Sequence, residues 1–283
     1  MRKTDDLRTI KRSVLRKRLG ECYYSFLRYL LWLSPKYRFA KKRKTDLWLP
    51  YAHTKHQTIL LRQLQGVDMQ LQHNKIINLR LATKLLDGVL VYPGETFSYW
   101  RLIGKPTRAK GYVDGMVLSC GKIMAGVGGG LCQLSNLLYW ITLHTPLTIV
   151  ERHRHGYDVF PDANRTQPFG SGATCFYPHG DLMITNYTSD IFQLSVTVDE
   201  EFLHAAWYSN ERPVCCYEII EKDPLMKSEW WGGFSRHNAL YRRSFDLNGI
   251  FLSEEFLVEN HAMMMYEPFL AENSTSDGKP YIK

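Results

Sequence analysis

Residues 128–130 are three consecutive glycines, and an apolar sequence with helical spacing follows them from Gln133 to His144, where Thr145-Pro146 stops it. Three glycines in a row do not sustain a helix, because glycine loses more conformational freedom on ordering than any other residue. The chain must therefore turn into a helix at one defined place, with Cys132 at its mouth. Backbone N–H groups left free in a first helical turn, together with the positive end of the dipole, favour a thiolate there. Nineteen residues on comes Glu151-Arg152-His153-Arg154-His155-Gly156, which offers two imidazoles at alternate positions of a β-rich stretch. A cysteine nucleophile needs such a base nearby.

From this pattern Cys132 is the candidate nucleophile and His155 the favoured base. His155 precedes a glycine and has room to face a cleft, whereas His153 sits between two arginines; His153 remains the other choice. Asp158 or Asp162 would orient the imidazole. On a strand, residues 153 and 155 would share one face. The Gln133 amide and Ser135 hydroxyl, beside the backbone of Gly129 and Gly130, are candidates to hold a substrate or an oxyanion. Arg152 and Arg165 are candidates for pairing with a carboxylate, which guanidinium meets bidentately. The structural alternative stays open. The glycines would then serve close backbone approach, Cys132 would be a small core residue, and His153 and His155, beside Glu151 and Arg152, would form a hydrogen-bonded polar cluster. His-x-His with one cysteine is weak as a metal signature, so neither metal nor cofactor is expected. Six cysteines without C-x-x-C spacing point to neither a disulfide scaffold nor a zinc ribbon.

Charge is distributed unevenly. Residues 1–44 hold 15 of the 36 Lys+Arg and 3 of the 28 Asp+Glu, a net +12, and the remainder is −4. Within that arm Leu15, Leu19, Tyr23, Phe26, Leu27, Leu30 and Leu31 have helical spacing between basic residues. A basic amphipathic helix suits an anionic membrane surface, or it packs on the domain with a solvated basic face; no nucleic-acid motif accompanies the charge. The apolar run Cys22–Leu33 is interrupted by Arg28 and too short to span a bilayer, and nothing after it resembles a cleavage site. The chain is therefore expected to be cytoplasmic, with peripheral contact at the inner membrane face.

The pattern reads as α+β: a basic helical arm (1–50), a core (51–225) and an aromatic-rich C-terminal extension (226–283). Helical spacing is expected from Thr54 to Asp87, a short strand at Val89–Tyr92, and strands at Leu147–Val150, Asp158–Phe160, Ala173–Tyr177, Leu182–Asn186, Phe192–Val198, Ala205–Tyr208 and Val214–Ile220.

Several blocks carry a resemblance: Pro93-Gly94-Glu95-Thr96-Phe97-Ser98, Gly104-Lys105-Pro106-Thr107, Gly111-Tyr112, and Gly128 through Ser135. They continue with Glu151 through His155, Phe160-Pro161-Asp162, Pro168 through Thr174, and Asp181 through Asn186. In order and spacing, over roughly residues 90–190, they resemble the VanW family. The resemblance implies an accessory role in glycopeptide resistance, a setting in which peptidoglycan precursors are rebuilt to end in D-Ala-D-Lac. Two functions fit it. One is a Cys-dependent hydrolase or acyl/peptidyl transferase acting on a peptidoglycan-precursor-type peptide. The other is a non-catalytic protein that binds such a precursor or a resistance enzyme.

Overall fold

A computed structural model describes residues 13–61, 68–119, 121–159 and 167–268. In chain order the elements are α1 (Val14–Leu33), β1 (Arg38–Phe39), β2 (Tyr51–Ile59), α2 (Met69–Leu86), β3 (Leu90–Val91), β4 (Glu95–Ser98) and the short α3 (Tyr99–Ile103). The hairpin β5 (Asp114–Ser119) and β6 (Lys122–Val127) leads into α4 (Cys132–Leu143), β7 (Thr148–Glu151), β8 (Tyr157–Asp158) and β9 (Met183–Thr185). Then come β10 (Phe192–Val198), β11 (Phe202–Ser209), β12 (Cys216–Ser228), β13 (Phe234–Phe245) and β14 (Phe251–Met264). The fold is α+β, as the sequence pattern predicts.

Beside the β5-β6 hairpin, the strands form three four-stranded sheets, ordered β1-β4-β9-β7, β2-β11-β10-β3 and β12-β13-β14-β8. Helix α4 is apolar on most sides and therefore buried, with Leu134, Leu137, Leu138 and Ile141 inaccessible or nearly so. It packs against β2, β11 and β7, and the Trp207 indole of β11 donates to Thr142 Oγ1 at 3.0 Å. Each of those aliphatic side chains contributes about 1.5–3 kcal/mol by leaving water. Helix α2 lies on β10 and β5 and starts at Asp68, whose carboxylate caps the Gln70 N–H at 2.8 Å.

The glycine run works as a close-approach device. A Cβ on Gly129 would fall 2.2 Å from the Gly115 backbone, and Gly130 turns the chain at φ +90° against the Lys75 side chain. Buried Asn78 of α2 fixes the run: its amide donates to the Gly129 and Val113 carbonyls and its oxygen accepts from Val113 N–H.

Three expectations are corrected. Residues 51–59 are strand β2, paired along β11, so the helix in this part of the chain begins only at Met69; Ile59 and Leu60 mimic helical spacing, but the alternating exposure along β2 is that of a sheet. Residues 173–177 form no strand beyond a single bridge, Phe176 to Gly180, because their backbone groups bond instead to side chains and single carbonyls. Strand β7 ends at Glu151, so 152–155 are irregular and the two histidines do not share a strand face.

Candidate functional site

Cys132 opens α4, where the glycine run predicts it. Its thiol hydrogen-bonds to the Cys175 carbonyl at 4.0 Å, and no imidazole of the described residues hydrogen-bonds to the sulfur. The residue is half-buried but its sulfur is surrounded by protein, and burial pushes the thiol pKa up against two backbone hydrogen bonds that lower it. The helix N-terminus alone does not produce an acidic thiol here.

The other predicted residues are placed as follows. Gln133 Nε2 donates to Thr58 Oγ1 and the Ile59 carbonyl, both at 2.9 Å. Ser135 Oγ donates to the Ala173 carbonyl at 2.6 Å and is fully buried. Gly129 is buried, its carbonyl taken by Asn78. Arg152 donates to the Gly172 and Gly170 carbonyls and stacks on Tyr139. These side chains and backbones tie segment 170–175 to α4 and to the strands beside it. His155 is bound through its backbone N–H to Thr174 Oγ1 at 3.2 Å, and burial, then Arg154, lower its pKa. Buried Asp158 accepts from the Tyr266 hydroxyl at 3.0 Å. Asp162 and Arg165 lie outside the described residues.

His153 is built into a different centre. Its Nε2 lies 2.8 Å from Glu151 Oε1, a bond that His155 does not share. Glu151 also takes a bidentate ion pair from Arg28 of α1, with Nη1 to Oε2 at 2.8 Å, and the Asp181 N–H at 3.1 Å. Burial raises the Glu151 pKa, but the hydrogen bonds from His153 and Arg28 outweigh it and hold the carboxyl low. Arg28 further donates to the His179 carbonyl at 2.8 Å. Behind this hub lies Asp181, whose pKa burial pushes up to about 6 although Ser98 Oγ and the Trp100 N–H donate to it.

Beside the hub, between α1 and the core, is a cleft of about 540 Å³ lined by Tyr24, Leu27, Arg28, Leu31, His153, Phe176 and His179. The Nδ1 of His179 is buried without a hydrogen-bond partner, and its ring stacks edge-on to Phe176. An apolar concavity with a few convergent polar groups is the usual form of a small-ligand site. A second hollow, about 450 Å³ around Lys55, His204 and Tyr208 on β2 and β11, contains none of the predicted residues. Arg28, Glu151 and His179 were not singled out as site residues. The available signal was Arg28 itself, a lone cation in an apolar helical run, since a buried charge demands a partner. Among the described residues no cluster of three or more metal-ligating side chains occurs.

Residues 74–208 match the family model described as VanW like protein. Over 171 residues the chain is 40% identical to the Vancomycin B-type resistance protein VanW of Enterococcus faecalis (strain ATCC 700802 / V583), covering 60% of this chain and 62% of that protein. Over 130 residues it is 32% identical to the Uncharacterized protein YoaR of Bacillus subtilis (strain 168), covering 40% of this chain and 43% of that one. The chain thus spans less than two thirds of the length of either relative. No solved structure matches it.

Proposed function

This chain carries a VanW-like domain over residues 74–208, and from that premise we propose that it is an accessory of vancomycin resistance that binds a peptidoglycan-precursor-type peptide without thiol chemistry. The observation that carries this reading is the setting of Cys132. A nucleophilic thiol requires a base within hydrogen-bonding reach and a depressed pKa; this sulfur bonds to a carbonyl and its pKa is raised by burial. The cleft beside His153 is the assigned binding site. Its walls, Leu27, Leu31 and Phe176, suit apolar side chains, and His179 Nδ1 offers an unused polar contact.

Two measurements test this. An acyl peptide ending in D-Ala-D-Lac is titrated calorimetrically into the full chain and into His179→Ala, which is expected to bind at least ~10-fold more weakly through loss of a buried hydrogen bond. Equal affinity for both proteins removes the cleft assignment. In a resistant strain, Cys132→Ser is expected to leave vancomycin susceptibility unchanged. Loss of resistance with the variant protein still folded and abundant would reinstate Cys132 as nucleophile.

A further inference from the structure

Helix α1 uses two faces differently. At 3.6 residues per turn, Tyr24, Arg28, Leu31 and Trp32 point toward the core, where Arg28 pairs with Glu151 and Trp32 contacts the buried cluster. On the opposite side Leu15, Leu19, Tyr23, Phe26, Leu30 and Leu33 fall within an arc of roughly 80°. All six are exposed, from 47% for Leu30 to 82% for Leu33. A docked helix normally buries its apolar stripe and shows water its polar side. Here a polar and aromatic face is docked and an apolar stripe about five turns long faces out, which in a folded protein marks an interaction surface.

The charges around the stripe indicate its occupant. Arg16 and Arg18 are exposed on either side of it, and the exposed Lys36, Lys41, Lys42 and Lys44 follow the helix. Glu21 is the one acidic residue between positions 13 and 44. A second copy of the chain would bring this cationic rim against its own like. We propose that the outward face of α1 lies in the surface of an anionic bilayer, with the leucines and Phe26 among the upper acyl chains, Tyr23 at headgroup level and the arginines on lipid phosphates. That arrangement is peripheral: among the described residues no helix is long and apolar enough to cross a membrane.

The test is co-sedimentation of the full chain with phosphatidylglycerol vesicles and with phosphatidylcholine vesicles, at low and high salt, beside analytical ultracentrifugation without lipid. The wild type is expected to pellet with phosphatidylglycerol, less so at high salt, and weakly with phosphatidylcholine. Leu19→Glu/Phe26→Glu is expected to reduce phosphatidylglycerol binding at least ~10-fold, since both side chains leave the lipid. It should keep the wild-type circular dichroism and melting temperature, because neither residue packs on the core. Arg16→Glu/Arg18→Glu is expected to lose the preference for phosphatidylglycerol. Undiminished binding by Leu19→Glu/Phe26→Glu overturns the proposal. So does equal pelleting of the wild type with both lipids, or a wild-type dimer that the apolar double variant converts to monomer.

Discussion

At Asp181 the fold opposes ionisation: the carboxyl is buried, and Ser98 with the Trp100 N–H only partly offsets the loss of water. Its pKa is raised from 3.8 to about 6, so between those values the folded state holds a proton that the unfolded chain has released. Stability from this group therefore falls as pH rises through that window and is level above it. Asp181→Asn cannot ionise. Relative to the wild type it should gain on the order of 2–3 kcal/mol between pH 4 and pH 6.5, read by urea unfolding at a series of pH values. A difference that stays constant across the series would show that Asp181 does not carry the shift. The position of Cys132 at a helix start was legible, because a glycine run and an apolar period are both local. Its chemistry was not. Whether a helix-terminal sulfur is acidic depends on what covers it, and Cys175 is brought there by a loop 43 positions further on.

Among the elements, α1 rests on few polar contacts and tests them cleanly. Arg28 supplies its ion pair to the core and bonds to the Glu151 carboxylate and the His179 carbonyl. Arg28→Ala leaves Glu151 with His153 but detaches the helix, at a cost of about 2 kcal/mol for the charge-assisted hydrogen bonds lost. Tryptic cleavage at Arg16–Arg18 should accelerate by roughly 10- to 30-fold while the core melts near its wild-type temperature. An unchanged cleavage rate would mean that Tyr29, Trp32 and their ring contacts hold α1 without the arginine. The helices α1 and α4 were readable from apolar spacing, as was strand β10, whose bounds match the expectation at both ends. Strand β2 was misread because Ile59 and Leu60 lie on a strand end and the loop after it, where adjacent apolar residues imitate a helical pair. The pairing of Arg28 with Glu151 was beyond sequence reasoning, since 123 positions separate them.

Across the whole molecule, the C-terminal sheet is joined to the rest by a buried line of amides. Asn238 donates to the Phe169 carbonyl at 2.7 Å, Asn260 donates to Asn238, and Arg152 reaches Asn260 Oδ1 at 3.3 Å. Asn260→Ala strips this line of its middle and should cost about 1–3 kcal/mol. Calorimetry should show one unfolding transition in the wild type and an earlier onset for the β12–β14 region in the variant. An unaltered thermogram would mean that the sheet is held by its other contacts, among them Arg242 on the Thr145 carbonyl and the pairing of β14 with β8. None of these amides stood out in the sequence, because a lone asparagine in a strand reads as a surface residue until its partner is known. Helix α1 also has a geometric consequence for how a ligand arrives. The cleft is lined by side chains of the same helix whose other face meets the bilayer, so it lies within one helix diameter, ~10–12 Å, of the lipid plane. A peptide tethered to a lipid in that plane would reach the cleft by lateral diffusion. Capture would then be a search over an area, and its rate would follow the surface density of the tethered peptide, whatever volume of solution lies above.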